Sequence, residues 1–219
     1  MPSTRRLAYT FTLLAGLATA GVMPAALATP HTPADDDTVK REGVGERGAA
    51  LKSMELKPAP ADLLASLTDW KNGDALTLES AKGRPVLVVT WVAWVPTSQQ
   101  LVERVAEFAG KNPDLIVVLT HPERNYELAT KWLGEKNITL RSARDTGGKL
   151  RAALKADAEP DLDFIDRAGN LRYADVETGS LATAVDLLIS ETADEAAKMP
   201  EAYAKALADA RVKAGKTRD

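Results

Sequence analysis

The sequence predicts an α/β fold with a central mixed β-sheet flanked by helices, and three observations predict it. Pro85-Val86-Leu87-Val88-Val89-Thr90-Trp91-Val92 is an unbroken run rich in β-branched residues, the pattern of a strand covered on both faces. Leu101, Val102, Val105, Phe108 and Ala109 then recur at helical spacing, and Leu115 to Leu119 is a second short apolar run. Strand, helix, strand is the unit of a parallel sheet. Finally, Leu162 to Ile165 and Leu171 to Tyr173 flank the turn Asp166-Arg167-Ala168-Gly169-Asn170, which reads as an antiparallel hairpin.

In chain order, residues 1–28 read as an export signal. Arg5 and Arg6 open it, an apolar run from Leu7 to Val22 follows, and Ala26-Leu27-Ala28 is an A-x-A exit, so cleavage is expected after Ala28. The rival reading is an uncleaved anchor, but threonines, glycines and Pro24 interrupt a run that falls short of the usual span of about 20 residues. The arginine pair also leaves a twin-arginine signal open, although Ala8 and Tyr9 follow where that signal prefers bulky apolar residues. Residues 29–60, rich in Pro, Ala, Gly and charge, are expected to be a disordered linker. His31 and the run Asp35-Asp36-Asp37 lie there without the second histidine that a metal site would want.

The folded domain is expected over 61–192. Asn72-Gly73 marks a turn between strand-like segments around Leu67 and Leu76-Thr77-Leu78. Thr97 or Ser98 is placed to cap the helix after the first long strand, and Gly110 with Pro113 stops it. Further helices are expected over 123–133 and 149–154, and another where Leu181, Val185, Leu188 and Ile189 share a face. Residues 193–219 read as a charged, alanine-rich helix or tail with Tyr203 and Leu207 as its large apolar residues.

Composition narrows function. The chain has 219 residues, 28 basic against 31 acidic side chains, and no cysteine. Removing the two signal arginines takes the balance to 26 against 31, a charge of −5, which offers no basic footprint for nucleic acid. Without cysteine there is neither a lipid attachment point nor a disulfide, even in an oxidising compartment. No segment after the signal is long and apolar enough to span a bilayer.

Four motifs stand in register. They are L-T-D-x-x-x-G-x-x-L-x-L at 67–78, Lys82-Gly83-Arg84-Pro85-Val86-Leu87-Val88, WVAWVPTS at 91–98, and Pro160 six residues before Asp166 in Ile165-Asp166-Arg167-Ala168-Gly169. Together they resemble the thioredoxin superfamily over about residues 62–192, and within it the exported TlpA and ResA type, which grades into the AhpC/TSA redoxins. The resemblance implies a thioredoxin-like fold. It also implies that WVAWVPTS corresponds to W-A-x-W-C-P-x-C, so that Val95-Pro96-Thr97-Ser98 is a degenerate redox motif.

Val95 then stands where the attacking cysteine would be and Ser98 where the resolving one would be. Active members lower the pKa of the first thiol at a helix N-terminus and resolve the mixed disulfide with the second. Valine carries no nucleophile, and a serine hydroxyl needs a base. His121, the only histidine of the folded region, is expected either to approach Ser98 or simply to begin a surface helix. A peroxidase is excluded on the same ground, since valine is not oxidised by peroxide.

The resemblance further implies that Pro160 follows a cis peptide bond and that the backbone of Glu159 can pair with an extended polypeptide, beside a rim of Trp94 and Pro96. Trp91 reads as core. Trp94, at the strand end, reads equally as groove or as cover for the helix end. Asp163 departs from the pattern, which has an apolar residue there, so either that face meets water or the register slips by one. With Asp157, Glu159 and Asp161 it is expected to make the groove side acidic and selective for basic or neutral peptides.

The leading expectation is an exported, noncatalytic redoxin-like domain that takes a polypeptide or protein partner of the cell envelope through Trp94, Val95, Glu159 and Pro160. The alternatives are a thiol-disulfide or antioxidant redoxin acting only with external thiols, and a purely structural envelope domain. No cofactor, metal or nucleic acid is expected.

Overall fold

The computed structural model describes residues 32–216. The expected export signal, with its expected exit at Ala28, and His31 lie outside the described residues. In order, the elements are α1 (Pro33–Asp36), α2 (Gly45–Lys52), β1 (Lys57–Pro58), β2 (Thr68–Lys71), α3 (Leu78–Ala81), β3 (Val86–Thr90), α4 (Pro96–Lys111), β4 (Ile116–Pro122), α5 (Tyr126–Glu135), β5 (Arg141–Asp145), α6 (Lys149–Leu154), β6 (Asp161–Ile165), β7 (Asn170–Tyr173), α7 (Leu181–Ser190) and α8 (Ala193–Lys216). The strands form one mixed sheet in the order β1-β7-β6-β3-β4-β5-β2.

β3 is central, parallel to β4 on one side and antiparallel to β6 on the other. Its five residues are all buried because successive side chains point to opposite covered faces. Leu87 and Val89 meet Leu101, Val102 and Val105 of α4 and Leu181, Val185 and Leu188 of α7. Val86 and Val88 meet Leu51, Leu63, Leu64, Leu150 and Leu154 on the other side. The β6–β7 turn is built by Asp166, whose Oδ1 accepts the amides of Ala168 and Asn170, each at 2.9 Å. Gly169 closes that turn at φ 88°, a conformation in which a side chain is strained.

Three local expectations change. Residues 67–78 do not form a hairpin: β2 pairs antiparallel with β5, and Thr77 caps the short α3 by accepting from the Ser80 amide. A capping side chain competes with a strand there. β5 itself escaped the sequence pattern because Arg-Ser-Ala-Arg-Asp is polar. Its last residue, Asp145, accepts the amides of Leu150 and Arg151, each at 3.0 Å, which starts α6. Finally, α5 begins at Tyr126 rather than Glu123, since β4 runs on to Pro122 and Asn125 takes a left-handed φ of 59°.

The larger difference is at the amino-terminal side. Residues 33–60, expected to be a linker, carry α1, α2 and β1 and dock on β7 and the segment after it. Val39, Leu51 and Ala59 are buried. The anchor is Arg172 of β7, 1% exposed, whose guanidinium lies 2.9 Å from Asp36 and 3.1 Å from Glu191. Tyr173 donates its hydroxyl to the same Asp36 oxygen at 2.8 Å, and Arg41 forks onto Glu55 at 2.8 and 3.1 Å. Composition was misleading because a few apolar residues, Val39, Leu51 and Ala59, join the core and buried charge pairs add to them. At the other end Thr192 and Glu195 form reciprocal caps that open α8.

Arg172→Ala is expected to lower unfolding free energy by about 3–5 kcal/mol, because it strands buried carboxylates. Urea unfolding checks this, and a loss under about 1 kcal/mol would contradict the anchor role.

Candidate functional site

The site is the turn that carries the chain from β3 into α4. Pro96 is the first helical residue and Val95 the N-cap, without a side-chain capping bond. Proline is favoured at that first position because its missing N–H would have no helical partner there. Ser98 therefore lies inside the first helical turn instead of capping it. It is fully buried, and its Oγ accepts the Val92 amide at 2.9 Å.

His121, at the end of β4, is also fully buried. Its Nε2 accepts the Ala93 amide at 3.1 Å, and Nδ1 bonds the Pro122 carbonyl at 2.8 Å. A carbonyl only accepts, so Nδ1 carries the hydrogen and the ring is neutral. Burial pushes the His121 pKa below its ordinary value, while the Pro122 carbonyl pulls in the opposite direction. The ring is boxed edge-on by Trp91 and Trp94, with ring centres 5.4 Å away in each case, and by Tyr126 at 6.2 Å. His121 is thus neither a surface helix start nor a base for Ser98. Its free lone pair is spent on the chain.

Trp91 is core, with no exposed surface, whereas Trp94 is 44% exposed and carries the Arg124 guanidinium 5.9 Å from its ring centre. Val95 is half-buried, and Pro96 and Thr97 are exposed. Just ahead of β6, whose first residue Asp161 pairs with Thr90 at the end of β3, the Glu159–Pro160 bond is cis. Among the described residues the backbone of Glu159 makes no hydrogen bond. A cavity of about 800 Å3 lies at the beginning of β4, lined by Leu115, Ile116, Gly110 and Lys136, and so away from His121.

The groove side is not an open acidic surface. Asp163 is buried at 2% exposure, so a solvated face does not account for it; β6 is in regular register with β3 but slips by one residue against β7 between Phe164 and Ile165. Its Oδ1 accepts the Asp175 amide at 3.2 Å, and burial raises its pKa well above the usual carboxylate range. Asp161 is raised to about 7, first by burial and then by Asp175 and Asp157. Glu159 is ion-paired with Arg151. Arg47 of α2 pairs with both Asp157 and Asp175. The sequence spacing of these acids cannot reveal that Asp157 and Glu159 are paired with arginines while Asp161 and Asp163 are buried.

The architecture, a β-α-β unit joined to an antiparallel hairpin with a cis proline just ahead of β6, is that of a thioredoxin-like protein. The redoxin family profile matches residues 54–188, and the chain belongs to the redoxin family. A thiol:disulfide interchange protein DsbE of Pseudomonas aeruginosa is 31% identical over 134 residues, covering 58% of this chain and 72% of that one. Its Yersinia pestis namesake is 29% identical over 136 residues, covering 61% and 70%. Among solved structures, a thioredoxin-like protein in its oxidised form aligns with a TM-score of 0.54 at 26% identity, covering 64% of this chain and 99% of that one. The thioredoxin domain of a Bacteroides vulgatus thiol-disulfide oxidoreductase also aligns at 0.54, with 16% identity over 62% and 97% of the two chains. The relatives are named for thiol-disulfide exchange; these 219 residues contain no thiol.

The lowered pKa of His121 gives a pH prediction with a definite sign. An unfolded histidine takes up a proton that the native ring refuses, so this contribution to stability is full above the ordinary value of 6.5 and is lost as pH falls below it. NMR titration of the His121 ring should give a midpoint below 6.5 with the hydrogen on Nδ1. A midpoint at or above that value would contradict the assignment.

Proposed function

We propose that this chain is an exported redoxin domain without redox activity of its own, which binds an extended segment of a polypeptide partner in the cell envelope. Export rests on the arginine-led apolar stretch and the A-x-A exit at residues 26–28. Among the described residues no helix is long and apolar enough to cross a membrane. Thiol-disulfide exchange begins with a thiolate, and Val95 and Ser98 supply none. Ser98 is further disabled as a nucleophile by burial and by its bond to the Val92 amide.

One observation supports binding above all. Beside the helix start, a large tryptophan remains substantially exposed while Trp91 is fully buried, and just ahead of β6, which pairs with the end of β3, the Glu159 backbone is left without partners among the described residues. An aromatic anchor next to free main-chain groups is what strand-like peptide recognition uses. Since Arg151 and Arg47 already neutralise Glu159, Asp157 and Asp175, the groove favours a neutral, apolar segment over a basic one. Arg124 on the Trp94 ring leaves one cation at the rim.

The test is a comparison of wild type with Trp94→Ala in pull-downs from envelope extract, with thermal unfolding as the control for folding. The captured set should fall at least about tenfold, the effect of losing an interface anchor of roughly 1.4 kcal/mol or more. Unchanged capture at unchanged stability would remove the groove reading. Insulin reduction and peroxide consumption by the same purified protein are expected to match buffer, and turnover would contradict the noncatalytic reading.

A further inference from the structure

Residues 36–58 form a strap over the β7 edge and the adjacent side of β6. Its main chain is tied down where the Glu42 amide donates to Asp175 O at 2.8 Å, the Leu56 amide to Leu171 O at 2.7 Å, and the Glu177 amide to Lys40 O at 2.9 Å. Arg47 of the strap pairs with Asp175 and Asp157 and donates to the Lys155 carbonyl at 3.3 Å. The strap thereby holds the loop 155–160 that carries Glu159 and Pro160.

Arg47 acts on a crowded group of acids. The strap itself brings Glu42; the loop brings Asp157; β6 brings Asp161 and Asp163; the segment after β7 brings Asp175 and Glu177. Among the described residues, the guanidiniums of Arg47 and, from α6, Arg151 act against these carboxyls, and Arg151 is already engaged by Glu159. Asp161 and Asp163 are each 2% exposed. Asp161 Oδ2 has no hydrogen-bond partner among the described residues. Ionising all six acids there would leave several uncompensated charges in a medium of low dielectric constant, so the closed arrangement is favoured when some of them keep their protons.

We propose that the strap is a proton-coupled latch, closed over β6 while Asp161 and Asp163 are protonated and lifting as those two carboxyls ionise. Lifting admits water to both groups and releases the loop 155–160. The sign follows from linkage. A carboxyl whose pKa is raised in the closed state holds that state fully below its ordinary value of 3.8, and the contribution is lost as pH rises through the closed-state value, about 7 for Asp161. Glu42 is shifted in the same direction, chiefly by burial and by Asp175. The strap is also held by the ion pairs Asp36–Arg172 and Glu55–Arg41. The latch concerns the strap alone and stands whether or not the groove binds a peptide.

Hydrogen-deuterium exchange of the full chain, corrected for the intrinsic pH dependence of amide exchange, tests it. Strap peptides spanning Glu42 and Leu56 should show an opening equilibrium that grows about tenfold or more between roughly pH 5 and 8, relative to β3 and β4. Asp161→Asn with Asp163→Asn keeps the acceptor for the Asp175 amide while removing both charges, and should flatten that rise. Arg47→Gln should open the strap at every pH. If the strap of the wild-type protein does not open with pH, if it opens only together with β3 and β4, or if the double Asn variant retains the full rise, the latch is overturned. Should the double variant fail to fold, the wild-type comparison of strap with core still decides.

Discussion

The structure turns on how two main-chain amides are satisfied just past the end of β3. Where the central strand leaves the sheet, the N–H groups of Val92 and Ala93 fall inside the molecule, and a buried amide without a partner costs on the order of 1–3 kcal/mol. Ser98 Oγ takes the first and His121 Nε2 the second. Those bonds fasten the start of α4 to the end of β4, and with it the position of Val95 and the outward pose of Trp94. The two polar residues that sequence alone offers as a catalytic pair are employed as acceptors for the backbone. The site lacks a nucleophile for that reason as well as for lack of a thiol.

Much of the framework was legible in the sequence. The run Val86 to Thr90 alternates between two apolar layers, so it had to be central, and the Asp166–Gly169 turn advertised the β6–β7 hairpin. The cis bond before Pro160 was legible from its spacing to Asp166. What escaped notice were features in which polar side chains do the structural work. β5 is a polar strand stabilised by its neighbours. Residues 33–60 look like a linker by composition, yet Arg172, Arg41 and Arg47 bind them through carboxylates that lie far apart in the chain. Asp163 breaks the apolar pattern of β6, and its burial and its bond to the Asp175 amide appear only in the structure.

These features connect. Arg47, which helps fix the amino-terminal segment, also neutralises Asp157 and Asp175, so the charge beside Glu159 depends on a segment some 110 residues away in sequence, as in the Arg47–Asp157 pair.

The central claim is that the α4 start keeps the family geometry and lacks only the chemistry. Installing both sulfurs, by Val95→Cys and Ser98→Cys together, tests it most directly. Thiol titration before and after mild oxidation, followed by an insulin-reduction assay, should show two thiols converted to one intramolecular disulfide and the appearance of reductase activity. Two thiols that resist oxidation in a folded, monomeric variant would show that Val95 and Ser98 do not occupy the positions assigned to them.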